Sequence, residues 1–373
     1  DKSLSIRSFL IGSICQGTSI ANNVLESEDV KSAISVCRIL GIKIKKVKHK
    51  TYKIYGKGLG SFSAKKNSVL NFNNSGTLCR LITGIISTTP NIEVKIKGDQ
   101  SLNKRNMKKL INLMSEFGAT FTPKNKYTLP LKVTSSPMPI GINYKAGVSA
   151  QLKSAVILAG LNSYGETLIE EKVQSRDHTE NLLKANAQSI KIKKNKSKLI
   201  IIEGKKYLKP FKINIGGDPS SAAFFTTLTL LNQNSSLKIK NVGLNPTRIG
   251  FYNILRKQKA KIKFLNIRKE NNEVIGDILV KSCKLKPIKS PASMYPSTTD
   301  EFLLLFLIAG LQNGTSVFRG ISDLANKESS RAQEMKKILS QVGIKCKLKK
   351  DEIKIFGKGM INASNKKITV GNL

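Results

Sequence analysis

Histidine is scarce in this chain of 373 residues. Only His49 and His178 occur, which excludes a metal centre built from several imidazoles. The five cysteines, Cys15, Cys37, Cys79, Cys283 and Cys346, are scattered and form no C-x-x-C pair. An odd, dispersed set supports neither a disulfide framework nor a thiolate zinc site. The longest apolar run, Phe302 to Leu311, falls well short of the ~20 residues that span a bilayer. Asp1-Lys2-Ser3 begins no signal-like leader. The expectation is a cytoplasmic protein with no membrane partner.

Acidic residues are also few: 24 Asp and Glu stand against 64 Lys and Arg, for a formal net charge of +40. Such an excess attracts polyanions, either nucleic acid or small anionic substrates. The basic residues are spread along the whole chain, with no basic block interleaved with aromatics, no zinc-finger spacing and no RNP-like motif. Nucleic acid is therefore not expected as a partner. Most lysines are expected to coat a solvated surface, and the few that grip a small anion must be found by motif.

What the sequence does contain is repetition. One pattern recurs: a helix, a turn marked by Gly or polar residues, a strand, a second helix, then two strands. In the first copy the spacing predicts a helix over residues 3–15 and a strand over 18–25. A second helix follows, capped by Ser27 and stopped at Gly41, and then a hairpin over 42–55. The second copy opens at Asn74-Ser75-Gly76-Thr77, with a second helix over 106–117. The third opens at Ser149-Ala150-Gln151, with a strand over 167–173 and a helix over 177–187. The fourth opens at Asp218-Pro219-Ser220-Ser221, its second helix following Asn245-Pro246-Thr247. The fifth opens at Thr299-Asp300-Glu301, its second helix starting near Lys327-Glu328 and ending at Gly343. Openings roughly 70–80 residues apart are too long for a solenoid. With a length that suggests two domains, the reading is a two-domain α/β protein. Each copy presents a helix start beside small or polar residues. Several such ends directed at one place would make an anion site, through unpaired N–H groups and the positive end of the helix dipole.

The motifs in order resemble those of the enolpyruvyl transferases, and within them the 5-enolpyruvylshikimate-3-phosphate synthases. Asp1-Lys2-Ser3-Leu4-Ser5-Ile6-Arg7 is similar to the family's D-K-S-x-S-x-R opening. Asn74-Ser75-Gly76-Thr77-Leu78-Cys79-Arg80 is similar to N-A-G-T-x-x-R, and Gly98 to Arg105 to G-D-x-S-L-x-K-R. Ser149 to Ala155 resembles S-A-Q-x-K-S-A. Ser175-Arg176-Asp177-His178-Thr179-Glu180, Gly217-Asp218-Pro219-Ser220-Ser221, Asp300-Glu301 and Lys327-Glu328-Ser329-Ser330-Arg331 complete the set. A sister family acting on UDP-N-acetylglucosamine usually opens with K-N and often carries a reactive Cys before the second helix of its second copy. Here the opening is Lys2-Ser3, and no Cys lies between Gly98 and Arg105.

The resemblance implies a two-domain inside-out α/β barrel of βαβαββ units, five of six being present, with three in residues 1–216 and two in 217–373. It implies transfer of the enolpyruvyl group of phosphoenolpyruvate to the 5-hydroxyl of shikimate 3-phosphate, on the route to chorismate and aromatic amino acids. Neither metal nor other cofactor is implied, and the protein is expected to be a monomer. By the same resemblance Lys2, Gly76, Arg105, Gln151 and Arg331 would hold phosphoenolpyruvate. Lys2, Ser3, Arg7, Ser149, Gln151, Arg176, Asp300 and Lys327 would hold shikimate 3-phosphate. Asp300 would be the general base, with Glu328 and Lys2 moving a proton toward the methylene carbon of phosphoenolpyruvate. Bidentate Arg and mobile Lys suit two substrates that each carry a phosphate and a carboxylate.

Departures from the family pattern are also legible. Asn106 stands where Pro is frequent, Ser330 where Asp is, and Leu81 where many members have Pro. Gly76 resembles the loop of members that the herbicide glyphosate inhibits, so sensitivity is expected. The family's leading strand and its D-H-R motif, with the sixth unit, have no counterpart here. The chain as it stands is accordingly expected to be poorly stable and little active.

Overall fold

The computed structural model describes residues 1–194, 197–326, 330–359 and 367–370. The chain divides into two compact lobes. The first is Asp1–Ile215 with Glu270–Asn272, and the second is Gly216–Lys269 with Glu273–Leu373. Each has its own apolar core, and both are mixed α/β, the class the sequence predicts.

The helix Lys2–Ile14 is buried from Leu4 onward although it contains several serines. Ser5, Ser8 and Ser13 donate to the carbonyls of Asp1, Leu4 and Phe9 at 2.7, 2.8 and 2.6 Å, so their hydroxyls are satisfied inside the core. The strand Gln16–Asn22 and the helix Glu28–Ile39 follow, the latter with Glu28 and Asp29 in its first turn. Gly41 ends that helix at φ +83°, and the chain enters the hairpin Lys43–Lys48 and Thr51–Lys57. Lys212–Asn214 pairs parallel to Gln16–Asn22 and completes a four-stranded sheet.

The same order recurs. Ser68–Asn71 lies parallel to Glu93–Lys97, followed by Leu131–Thr134 and Thr120–Thr122. Asn143–Ala146 lies parallel to Glu166–Glu171, followed by Lys198–Glu203 and Ile190–Lys194. In the second lobe Lys289–Ser290 leads Asn313–Arg319, Glu352–Lys358 and Lys345–Leu348. Its other sheet runs Ser236–Gly243, Glu273–Lys281, Ile262–Glu270. There a single parallel bridge, Gly217 to Val242, stands where the others have a leading strand.

Several boundaries differ from the sequence reading. The first strand begins earlier and ends earlier than expected, because Asn23 adopts φ +56° and turns the chain. The helix expected over 177–187 is the shorter His178–Leu183. A five-residue helix, Gln100–Lys104, was not foreseen; the Asp99 carboxylate caps it by accepting from Leu102 N at 2.7 Å. The second helix of the last repeat is Arg331–Gln341, ended by Gly343 at φ +77°. Its expected start at Lys327 and Glu328 lies outside the described residues.

Three of the repeats close on a pair of glycines. Gly56 faces Gly17 across the sheet, Gly357 faces Gly314, and Gly204 donates to the Gly165 carbonyl at 3.2 Å. In all three the last strand passes directly beneath the end of the repeat's first helix. A Cβ on Gly56 would lie 2.2 Å from Gly12 O and 2.3 Å from Cys15 O. On Gly204 it would lie 2.8 Å from Gly160 O and 1.8 Å from Ser163 O. On Gly357 it would lie 2.3 Å from Ala309 O and 2.0 Å from Gln312 O. These are rigid backbone atoms, so no side-chain movement relieves the overlap. Gly56→Ala and Gly357→Ala are each expected to cost about 1–3 kcal/mol, read from urea unfolding followed by circular dichroism. Gly147→Ala, where an added Cβ meets nothing within 4 Å, should stay within about 0.5 kcal/mol of the parent.

Candidate active site

Three helices of the first lobe start with a capped N-terminus. Leu4 N donates to Asp1 Oδ1 at 2.8 Å, Leu78 N to Ser75 Oγ at 3.3 Å, and Leu152 N to Ser149 Oγ at 3.4 Å. The second and third of these helices, Gly76–Thr88 and Ala150–Gly160, cross so closely that a Cβ on Gly84 would lie 2.4 Å from Ala155 O. Their beginnings are tied by Gln151. Its Oε1 accepts from Arg80 Nη1 at 2.9 Å, and its Nε2 donates to Thr77 Oγ1 at 3.0 Å, so both ends of the amide are used. Arg80 Nη1 also donates to Gly76 O at 3.0 Å, one turn back along its own helix.

Arg105 arrives from the other side, at the end of Gln100–Lys104, and Nη2 donates to Asn74 Oδ1 at 2.8 Å. A Cβ on Gly76 would be 2.8 Å from Arg105 Nη1 and 2.8 Å from Arg80 Nη1. Two guanidiniums therefore converge on a helix start that has no side chain in the way. Such an arrangement suits an anion: the helix dipole favours it, and the guanidiniums supply charge-assisted hydrogen bonds.

A second cluster surrounds Arg7, which is buried in spite of its charge. Nε donates to Thr179 Oγ1 at 2.9 Å, Nη2 to Ser154 Oγ at 3.1 Å, and Nη1 to Ser3 O at 3.2 Å. Lys2, exposed at the start of the same helix, pairs with Asp29 at 3.0 Å. Beneath this cluster lies a buried quartet of two lysines and two glutamates. Lys153 Nζ is 2.7 Å from Glu171 Oε1 and 2.8 Å from Glu180 Oε1. Lys198 Nζ is 3.3 Å from Glu171 Oε2 and 3.1 Å from Glu180 Oε1. Ser175, the residue before Arg176, donates to Glu171 Oε1 from its N at 2.8 Å and from its Oγ at 2.7 Å. Burial alone would raise the Glu171 carboxyl, but Lys153 beside it and the hydrogen bonds from Lys153 and Ser175 outweigh burial and hold it below its ordinary value. Burial alone would lower the Lys198 ammonium, and Glu180 and Glu171 outweigh that and raise it.

In the second lobe Asp300 pairs with Arg331 at 3.7 Å, both partly open to solvent. Glu301, next in the chain, is buried and accepts from the Ser220 hydroxyl. Arg248 Nη2 donates to Ser220 Oγ at 2.8 Å and to Asp218 Oδ1 at 3.1 Å, while the Ser220–Glu301 bond joins the start of the helix Pro219–Leu231 to the segment carrying Asp300. Tyr295 OH donates to Asp323 Oδ2 at 3.0 Å; burial, and then Asp323 and Asp300, push this phenol upward.

Among the residues singled out from the sequence, Gly76, Arg105 and Gln151 thus meet around Arg80. Ser3 and Arg7 meet, Ser149 caps the helix that carries Gln151, and Asp300 meets Arg331. Lys2 instead engages Asp29. Lys327 and Glu328 lie outside the described residues. Sequence reasoning gave no role to Arg80, Thr77, Ser154 or Thr179, although all four stand inside the quoted motifs. The spacing of Arg80 four residues after Gly76 is the helical signal that could have found it. Arg248 stands in no quoted motif.

The EPSP synthase (3-phosphoshikimate 1-carboxyvinyltransferase) family model matches residues 1–370. A 3-phosphoshikimate 1-carboxyvinyltransferase of Zymomonas mobilis is 38% identical over 96% of this chain and 79% of its own length. One from Petrotoga mobilis is 37% identical over 98% and 84%. Among solved structures, EPSP synthase from Acinetobacter baumannii superposes with a TM-score of 0.82 at 36% identity, covering 97% of this chain and 81% of that one. The enolpyruvyl transferase NikO from Streptomyces tendae shares the fold, with a TM-score of 0.69 at 12% identity over 95% and 80%.

The buried quartet sets a pH window. A carboxylate held below its ordinary value stabilises fully above that value and loses the contribution as pH falls through the folded one; a raised ammonium does so in the opposite sense. Glu171 therefore acts above its ordinary 4.5 and Lys198 below its ordinary 10.5. Glu171→Gln is expected to cost about 3 kcal/mol at neutral pH. The gap between it and the parent should close as pH falls below 4.5, measured by urea unfolding over a pH series.

Proposed function

The chain belongs to the EPSP synthase family, and from that premise we propose how its own residues carry the family's reaction. The enzyme transfers the enolpyruvyl group of phosphoenolpyruvate to the 5-hydroxyl of shikimate 3-phosphate, releasing phosphate, within the shikimate pathway. Two anions must be brought together, and their mutual repulsion has to be offset by cations placed in advance.

The observation that carries the reading is the convergence of Arg80 and Arg105 on the bare helix start at Gly76, beside Gln151. We assign phosphoenolpyruvate to this place, with Lys2 and Arg331 as further cations. Shikimate 3-phosphate is assigned to Ser3, Arg7, Ser149, Gln151 and Arg176, with Lys2, Asp300 and Lys327. Protonation of the methylene carbon of phosphoenolpyruvate, with Glu328 and Lys2 as the proton path, makes the adjacent carbon cationic. Asp300 takes the 5-hydroxyl proton as the oxygen attacks that carbon. The tetrahedral ketal phosphate then breaks its C–O bond to phosphate and loses a methyl proton, giving the enol ether. The chemistry calls for no metal or cofactor. Residues 1–216 and 217–373 act as two domains of one polypeptide, and the enzyme works as a cytoplasmic monomer; among the described residues no helix is long and apolar enough to cross a membrane.

Asp300→Asn should lower kcat by a factor of about 10²–10⁴, read as shikimate-3-phosphate-dependent release of phosphate from phosphoenolpyruvate. An unchanged kcat would remove Asp300 from the mechanism. Gly76→Ala meets only the flexible ends of Arg80 and Arg105 at 2.8 Å, so the protein should fold normally. Its KM for phosphoenolpyruvate should rise about tenfold, the cost of losing ~1.4 kcal/mol of binding, with little change in KM for shikimate 3-phosphate.

A further inference from the structure

Lys153, Glu171, Glu180 and Lys198 have no part in the chemistry proposed above, yet they are among the most buried charged side chains described. We infer that this quartet is a positioning device for shikimate 3-phosphate, holding the mountings of Arg7 and Arg176 in one rigid body. The inference rests on the assignment of those two arginines to that substrate.

The covalent neighbours of the quartet lead to both arginines. Ser154 follows Lys153, and Thr179 precedes Glu180. The two hydroxyls are 2.8 Å apart, and Arg7 donates to both. Glu171 takes two hydrogen bonds from Ser175, the residue before Arg176. The four members come from the helix Ala150–Gly160, the strand Glu166–Glu171, the helix His178–Leu183 and the strand Lys198–Glu203, so one polar knot ties four elements.

Holding the fold together does not require this. The repeats supply their own comparison. Four residues after the helix caps Asp1, Ser75, Ser149 and Asp218 stand Ser5, Cys79, Lys153 and Ala222, all buried. A small neutral side chain serves that position in three repeats, and a lysine stands there only in the repeat that carries Arg176. Buried ion pairs give little net stability over apolar packing, because desolvation offsets their attraction. What they add is direction: ammonium and carboxylate groups fix one another, and Ser175, at set angles. A substrate cation needs that, since displacement of about 1 Å can cost as much as 10²-fold.

The test is binding of shikimate 3-phosphate alone to the full chain, followed by titration calorimetry. Lys153→Met should weaken binding about tenfold or more while KM for phosphoenolpyruvate stays within about twofold, below the ~1.4 kcal/mol of a tenfold change. If that variant does not unfold cooperatively, Lys153→Met with Glu171→Gln restores charge balance and should show the same loss. Arg176→Ala is then added to each. A positioning role requires the combined loss to be smaller than the product of the separate losses, because Lys153 acts through Arg176. Parent-like binding by a folded Lys153→Met variant, or losses that simply multiply, would overturn the inference. If Arg176→Ala alone binds shikimate 3-phosphate as the parent does, the substrate assignment itself fails, and the inference with it.

Discussion

A guanidinium is fixed in place by the oxygens it donates to, and neutral acceptors help to orient three arginines of the first lobe. Arg80 donates to a backbone carbonyl and the Gln151 amide, Arg105 to the Asn74 amide, and Arg7 to two hydroxyls and a carbonyl. Neutral acceptors fix geometry at a modest net energy each and do not cancel the field. Elsewhere the chain pairs its cations with carboxylates, as at Lys46 and Glu26 or Lys191 and Glu203. The formal charge of +40 says nothing about this distinction.

Backbone contact makes that mounting possible. Gly84 lets the helices Gly76–Thr88 and Ala150–Gly160 touch through main chain, which brings Gln151 within reach of Arg80 and Thr77. The closing glycines, Gly56, Gly204 and Gly357, let the last strand of a repeat pass against helix carbonyls. Glycine here is not needed for an unusual backbone angle; none of these three has positive φ. It is needed because the elements lie closer than a methyl group permits. The proposed substrate cations would inherit their precision from this packing, since interiors at crystal-like density transmit small displacements instead of absorbing them.

The sequence disclosed the repeat because its signals are strong ones: caps such as Ser75 and Asp218, stops such as Gly41 and Gly343, and alternating hairpins. It did not disclose the leading strands. Ser68–Asn71 and Lys289–Ser290 are too short for alternation to register, and their pairing is with residues some way along the chain. Gln100–Lys104 escaped because five residues make little periodicity, although Asp99 is an ordinary cap signal. The site was legible where a motif names a residue, as at Gly76, Arg105, Gln151 and Asp300. The partners that orient those residues were not. Thr179 and Arg248 act across contacts that no local pattern encodes, and Gln151 bridging two helices depends on a crossing that only the packed structure reveals.

Repetition within one chain also separates what the fold requires from what the chemistry requires. Positions that do the same structural work in several repeats hold residues of the same kind, as the three closing glycines do. A position that is small and neutral in some repeats but ionised in one is under a further demand there. Lys153 is such a position, and Glu171, Glu180 and Lys198 complete a buried group that is formally neutral. The quartet thus adds rigidity beneath Arg7 without adding net charge. A core that balances its own charges can hold a cation rigidly without weakening the field that cation presents to an anion.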